Sequence, residues 1–303
     1  MASTSTVFIA CLAASLLCGC VSVPMNDQLI AHGDTGIVSD QDAGCDERWQ
    51  APSTGPAPGP ALDPAGFGVM TWNVYKARRK DWPAEFARFS EGHDLVLLQE
   101  AHLTSSFRAV LERSGLGWSM ARAYDYKGVE TGVLTVANAR LSGACVHRAM
   151  EPVLRTPKSA LVTRYPLEGA QKELWVANLH GINFTLGTAT FREQLESLAE
   201  VLHAHTGPLV LAGDFNSWSD RRIDILRQVA ARLRLKPVTL ADDRRTRFMD
   251  YPLDHVFYRG LEVISADSVG VSSSDHNPIR VRFRVPENYW KGHSCCAKYS
   301  QSL

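Results

Sequence analysis

The chain has 303 residues, 45% of them hydrophobic, which is enough to bury a full core in one large domain or in two. Lys+Arg and Asp+Glu balance at 32 each, which excludes a globally basic surface that coats nucleic acid without selection and leaves room only for a local basic groove.

Residues 1–20, MASTSTVFIACLAASLLCGC, carry an apolar stretch from Val7 to Leu17 that is too short to span a bilayer and has the length of a signal-peptide core. Leu17-Cys18-Gly19-Cys20 resembles the box at which bacterial lipoproteins are cut, which would leave the Cys20 thiol for lipidation. No Lys or Arg precedes the run, and Cys18 is off pattern; a plain secretory leader is the alternative. More than one acyl chain, at roughly 0.8 kcal/mol per buried methylene, makes a stable anchor. Val21 stands where an aspartate would favour inner-membrane retention, so the expected place is the outer membrane facing the periplasm.

Residues 21–66 are polar and then rich in Pro and Gly, ending in APSTGPAPGPALDPAG, and read as a flexible tether. Residues 67–286 read as the globular domain and 287–303 as a tail. Beyond the leader stand Cys45, Cys145, Cys295 and Cys296, which allow three full pairings in an oxidising compartment; a bond from Cys45 or Cys145 to the C-terminal pair would tie the tail to the body. No CxxC or Cys/His spacing points to a thiolate metal site.

From Phe67 on, strand and helix patterns alternate. FGVMTWNVY and HDLVLLQEA read as strands around a short helix in PAEFARFSEG. Thr104 is placed to cap a helix through Phe107, Val110 and Leu111 that Gly115 closes. TGVLTVANA, SALVTRYPL and KELWVANLH have strand character. Phe191, Leu195, Leu198 and Leu202 form one helical stripe, and PLVLAGDFN returns to strand. Ile223, Leu226, Ala230 and Leu233 mark another helix, after which LDHVFYRG, LEVISADSVGV and NPIRVRFRV close the domain as strands. Many strands with few helices, some strands wholly apolar, indicate stacked sheets covered by helices.

The strand ends share a chemistry. Asn73 ends one; Gln99 and Glu100 another; Asn178 and His180, Asp214 and Asn216 two more; Asp254 and His255 open a fifth; Asp275, His276 and Asn277 precede the last. Asp214 and Asn216, two apart on an extended chain, would face the same way, although Gly-Asp and Asn-Ser are also ordinary turn residues. Taken singly, each residue has an equally ordinary reading as a turn, a bulge or a hydrogen-bonded core group. Together they are too repetitive for scattered turns, since buried polar groups must be paired or bind something. Oxygen ligands without cysteine suit Mg²⁺ or Mn²⁺ rather than zinc, and a histidine backed by a carboxylate can take a proton from water. That combination fits phosphoester hydrolysis.

The ordered set TWNVY, LLQE, NLHGIN, GDFN, LDHVF and SDHNP, running from Phe67 to Val285, resembles the endonuclease/exonuclease/phosphatase superfamily, and HGINF with PKSALVTRYPL resembles its uncharacterised bacterial branch. The resemblance implies an α/β four-layer α-β-β-α sandwich, with two mixed β-sheets and the site at one edge. It implies Glu100 as principal metal ligand, helped by Asn73 and Asp275, and His276 as general base or transition-state stabiliser oriented by Asp254. Asp214 and Asn216 would position water and phosphate, with Asp214 the base in some mechanisms, and His180 would contact the phosphate. Asn183, Lys158 and Arg164 are weaker candidates for substrate binding. The expected protein is a monomeric Mg²⁺- or Mn²⁺-dependent phosphodiesterase or nuclease. The alternatives are a hydrolase of phospholipid or sphingomyelin head groups or of soluble phosphomonoesters, and, third, a non-catalytic lipoprotein, which should have lost some of these residues. KARRK at 76–80 and DRRTR at 243–247 are candidate basic edges for a polynucleotide. No hydrophobic loop for lipid insertion stands out in the sequence.

Overall fold

A computed structural model describes residues 21–33, 36–40, 42–45 and 59–287; the leader with Cys20 and the tail with Cys295 and Cys296 lie outside them. In chain order the strands are β1 (Val21–Ser22), β2 (Gln28–Gly33), β3 (Gly36–Asp40), β4 (Phe67–Asn73), β5 (Leu95–His102), β6 (Gly117–Tyr126), β7 (Val129–Ala137), β8 (Gly143–Met150) and β9 (Pro157–Tyr165). They continue with β10 (Leu174–His180), β11 (Leu209–Asp214), β12 (Lys236–Pro237), β13 (Arg247–Phe248), β14 (Tyr251–Pro252), β15 (Asp254–Arg259), β16 (Glu262–Ser268) and β17 (Ile279–Arg284). The helices are α1 (Trp82–Ser90), α2 (Ser105–Ser114), α3 (Ala189–His203) and α4 (Asp220–Arg232).

Nine strands build one mixed sheet in the order β16-β17-β4-β5-β7-β6-β2-β3, with β1 also on β6, and six build the other in the order β12-β15-β11-β10-β9-β8. The period of two along each strand sorts side chains into layers. On β4, Phe67 and Val69 face the opposite sheet, where they meet Leu161, Val176 and Val210; Met70 and Trp72 face outward onto Trp82, Phe86 and Phe107 of the helices α1 and α2. On the second sheet, Leu179, Leu209 and Leu211 face outward onto Phe191, Leu195 and Leu198 of α3 and Ile225 and Val229 of α4. Strands buried on both faces and helices on the two outer faces give the α-β-β-α sandwich that the resemblance implied.

The local signals hold where the chemistry is strong. Thr104 Oγ1 accepts from the Phe107 amide at 3.2 Å, and Gly115 ends α2 at φ 67°. Of the helix stripe read in the sequence, Leu226, Ala230 and Leu233 are buried and Ile223 is part-buried; the buried face of α4 also includes Arg222, Ile225 and Val229.

The reading of residues 21–66 as a tether is corrected at both ends. β1 and β2 pair with β6, β3 extends the same sheet, and Leu29, Ile30, Ala31, Ala43 and Leu62 are buried. Leu29 to Ala31 form a short apolar run within a polar average, and Ala43 and Leu62 stand singly, which is why composition hid them. Residues 46–58 lie outside the described residues. The pairing left open in the sequence is Cys45 with Cys145, a bond that closes a loop of sequence separation 100 and pins this N-terminal segment to β8. Neither cysteine is therefore available to the C-terminal pair.

Two outcomes follow from this packing. Replacing Cys45 by Ala should lower unfolding free energy by roughly 2–4 kcal/mol, because the loop's entropy returns to the unfolded chain, and an unchanged urea midpoint would contradict it. His255 packs edge-on to Phe215 and its Nε2–H donates to the Pro252 carbonyl at 3.1 Å; burial, with help from Arg245, pushes it down to about 3. The fold accepts the neutral ring, so the unfolded chain alone takes up this proton and stability falls as pH drops from about 6.5 toward 3. His255→Gln should lose roughly 1–2 kcal/mol less than wild type between pH 7 and pH 5 in denaturant titrations, and parallel curves would refute this.

Candidate active site

The site lies where the core between the two sheets runs out. Val69, Thr71 and Asn73 succeed one another on the inner face of β4; Val176, Asn178 and His180 do so on β10, and Val210, Ala212 and Asp214 on β11. Each row begins apolar and ends on a polar group. Lower in the same layer, Gln99 Nε2 donates to Asn178 Oδ1 at 2.7 Å and to Thr71 Oγ1 at 3.0 Å, so Gln99 and Asn178 join the sheets rather than serve the site. Register places His180 beside Asp214 and Asp214 opposite Asp254. Two glycines allow this closeness: a Cβ on Gly213, at φ 144°, would lie 1.9 Å from the Leu179 carbonyl oxygen, and one on Gly181 would lie 2.5 Å from that of Phe215.

Glu100 reaches the site through a break in regular pairing. The register of β5 against β7 shifts between Leu98 and Ala101, and Glu100 sits there at φ 53°. Leu98 and Ala101 both pack on the helix side, so the extra residue re-aims Glu100 into the cavity. Asn216 is also left-handed, at φ 52°; it meets Asp214 through a turn rather than along a strand, its amide N–H donating to Asp214 Oδ1 at 2.9 Å. The segment carrying His276 docks on β4: Trp72 Nε1 donates to the His276 carbonyl at 2.9 Å and Ser274 Oγ to the Asn73 carbonyl at 2.6 Å.

These groups line a cavity of about 310 Å³ whose walls include Asn73, Glu100, Lys158, His180, Asp214, Asn216, Asp275 and His276. Asp254 Oδ2 accepts from His276 Nδ1 at 2.7 Å, and His276 Nε2 points to Asp214 Oδ2 at 3.9 Å. Asp214 Oδ2 also accepts from Asn73 Nδ2 at 3.0 Å. Burial disfavours the His276 imidazolium, but the carboxylates of Asp254, Asp214 and Asp275 outweigh it and push the ring up to about 10. His180 goes the other way: burial and then Lys158 hold it down at about 3, so its neutral Nε2 accepts from Lys158 Nζ at 2.8 Å. Burial would raise the Glu100 carboxyl, yet neighbouring cations, His180 and Lys76 foremost, hold it at about 2. With His180 neutral near pH 7, the Lys76 ammonium at 2.6 Å carries that role.

Two donor sets can take a divalent cation. Asp214, Asp254 and His276 bring ligand atoms within 4.8 Å of one another. There, however, Asp254 is engaged by Nδ1 of a cationic ring, which leaves a proton-holding array. Glu100, Asn73 Oδ1 and Asp275 offer oxygen donors on the same cavity, the set that suits a hard cation.

The structure thus gathers every core residue expected from the sequence. Asn183 and Lys158 also line the cavity, whereas Arg164 does not: it sits at the opposite end of β9, within 3.9 Å of Glu173 and bonded to the Ser142 carbonyl. His255 turns away toward Ser217, and Asn277 ties its own loop to the Arg244 carbonyl. The 243–247 stretch is no open basic edge, because Arg244 pairs with Asp242, and Arg245 and Arg247 pair with Asp243. Sequence reasoning missed three residues. Lys76 reads in the sequence only as part of the basic run at 76–80. Glu151 is fully buried and accepts from the Asn183 and Phe184 amides at 2.7 Å each. Arg222 is fully buried and donates to the Ile182, Asn183 and Asn216 carbonyls. Projecting the stripe of Ile225, Leu226 and Val229 back one turn would have found Arg222.

Residues 70–276 match the model of the Endonuclease/Exonuclease/phosphatase family. A UPF0294 protein of Vibrio cholerae is 42% identical over 220 residues, covering 72% of this chain and 78% of its own. Another from Klebsiella pneumoniae is 39% identical over 228 residues, covering 75% and 86%. Among solved structures, the human Nocturnin catalytic domain aligns with TM-score 0.57 at 21% identity, over 75% of this chain and 96% of that one. A humanized TDP2 of D. rerio aligns with TM-score 0.56 at 16% identity, over 73% and 100%; at these identities the two structures bear on the fold alone. With the fold, the ordered motifs and the family model in agreement, the chain belongs to the endonuclease/exonuclease/phosphatase family.

Proposed function

We propose that the chain is a divalent-metal-dependent phosphodiesterase of the bacterial cell envelope, anchored through a lipid on Cys20. Membership of a family of phosphoester hydrolases supports the reaction class. The observation that carries it furthest is the pairing, in one cavity, of a proton-holding array with an ionised glutamate: Asp254 and His276 at 2.7 Å beside Asp214, and Glu100 held by Lys76. The Cys45–Cys145 disulfide supports export to an oxidising compartment.

In this reading Glu100, Asn73 and Asp275 hold Mg²⁺ or Mn²⁺, which when bound neutralises charge on the phosphate and the departing oxygen. Asp254 fixes the Nδ1 proton of His276, so that Nε2–H is offered to a phosphate oxygen and stabilises the charge that builds there. Asp214 Oδ2 is placed to take the proton of the attacking water as its oxygen bonds to phosphorus and the phosphorus–oxygen bond to the leaving group breaks. Asn216 holds Asp214 in place, while Lys158 and His180, the latter with Nε2 3.6 Å from Asp214 Oδ2, line the same cavity.

The test is a substrate panel of plasmid DNA, RNA, sphingomyelin, phosphatidylinositol phosphates and a bis-aryl phosphate, assayed with Mg²⁺, with Mn²⁺ and with EDTA. Wild type should turn over at least one substrate with metal and none with EDTA. His276→Ala and Asp214→Asn should each lower kcat/KM by roughly 10²–10⁴. Absence of turnover above the variants across the panel would defeat the enzymatic reading.

A further inference from the structure

Exposed apolar side chains gather around the mouth of the cavity. Val153, Leu154, Phe184, Leu186, Phe248 and Met249 are each more than half exposed, Leu186 at 94% and Met249 at 78%. They come from three loops that the buried polar groups fasten into one rim. Glu151, beside the first loop, grips the amides of Asn183 and Phe184 in the second. Asn183 Oδ1 accepts from Trp218 Nε1 at 2.9 Å, and the Trp218 ring meets Phe248 at the tip of the β13–β14 hairpin, centroids 6.3 Å apart. Arg222 stacks 4.3 Å from the same Trp218 ring and donates to the second loop's carbonyls. Leu154 and Phe184 line the cavity itself. Exposed apolar side chains held on a rigid frame beside a pocket mark a docking surface.

Three observations say what covers it. The rim is mainly aliphatic, with Val153, Leu154, Leu186 and Met249 outnumbering the rings, which suits acyl chains better than stacked bases. Exposed cations stand around the same mouth: Arg155 follows Leu154, Arg78 follows the turn that carries Lys76, and Lys127 tips the β6–β7 hairpin. They complement anionic head groups. Finally, the chain enters the fold at this end, because Val21 pairs with Tyr126 and Ser22 with Asp125 at the end of β6, whose Tyr124 lines the cavity. Cys20 immediately precedes Val21 in the sequence, so the described chain begins next to the proposed anchor residue, at the cavity end of β6.

We infer that this rim seats on a lipid bilayer, with Leu186, Met249 and Val153 entering the acyl layer and the cavity opening onto the head-group region. The inference deepens the reading of the cavity as a phosphodiesterase site: a phosphoester carried on a lipid is the substrate class such a seat presents. The seat does not itself depend on turnover.

The chain from Val21 to Leu303, which contains every described residue and no lipid, is mixed with vesicles of phosphatidylcholine alone or with phosphatidylglycerol and floated on a density gradient in EDTA. It should float with the vesicles, more strongly with the anionic lipid. The triple variant Val153→Glu, Leu186→Glu, Met249→Glu should partition at least about tenfold more weakly. Circular dichroism and thermal melting of that variant should match wild type, and so should its hydrolysis of whichever soluble substrate the panel identifies. Failure of the wild-type chain to float, or equal flotation of the variant, overturns the inference. So does a wild-type dimer, or an oligonucleotide complex, that the three substitutions disperse in a chain that binds neither vesicle. None of these flotation outcomes depends on hydrolysis, so they separate a failed seat from a failed enzyme.

Discussion

A buried carboxylate cannot stand alone, and Asp214 is the one around which this end of the molecule is organised. It ends β11, 2% exposed, and its oxygens are approached by Asn73 from β4, Asn216 from the following turn, His180 from β10 and His276 from the loop before β17. Each approach requires an adjacent structural feature. Gly181 and Gly213 let the strand ends close up, Ser274 and Trp72 hold the His276 loop against β4, and Asp254, opposite Asp214, orients the His276 ring. The cationic ring of His276 and the neutral ring of His180 are consequences of where each stands relative to carboxylates and to Lys158.

The sandwich explains why such a site can exist without disrupting the core. The inner faces of β4, β10 and β11 begin apolar, and the sheets are joined by Gln99, whose Nε2 donates to Asn178 Oδ1 and to Thr71 Oγ1. Beyond them the layer widens into the cavity, and the remaining polar residues meet there. Left-handed residues mark the departures from regular geometry. Glu100 and Asn216 are two, and Tyr75, Lys76 and Ala77 are three in a row that bring the Lys76 ammonium back onto Glu100. Non-glycine residues held in that region cost of order 1–3 kcal/mol each, so the surrounding fold over-determines them at a functional position.

Much of this was legible in the sequence, for identifiable reasons. Strand ends announce themselves by a switch from apolar to polar, so Asn73, His180, Asp214 and Asp254 could be read directly, and the capped helix from Thr104 to Gly115 was complete in its local signals. What required the third dimension was partnership. Nothing in the spacing distinguishes Asn178, which spans the sheets, from His180 two residues later, or Lys158 at the cavity from Arg164 at the other end of the same strand. The β-hairpin of β2 and β3 was concealed by the polar average around it, and the pairing of Cys45 with Cys145 depended on that hairpin's place on the sheet. The apolar rim escaped because its side chains lie on three loops far apart in sequence, each carrying only two of them.

The central claim is a division of labour within one cavity, with the cation on the Glu100 side and the proton-holding array at Asp254, His276 and Asp214. Calorimetric titration of Mn²⁺ into the substrate-free protein and two variants tests it most directly. The account expects Glu100→Gln to weaken binding by about tenfold or more and Asp254→Asn to leave it within a few-fold of wild type. The reverse pattern, with Asp254→Asn abolishing binding and Glu100→Gln keeping it, would place the cation in the aspartate–histidine cluster and contradict the account.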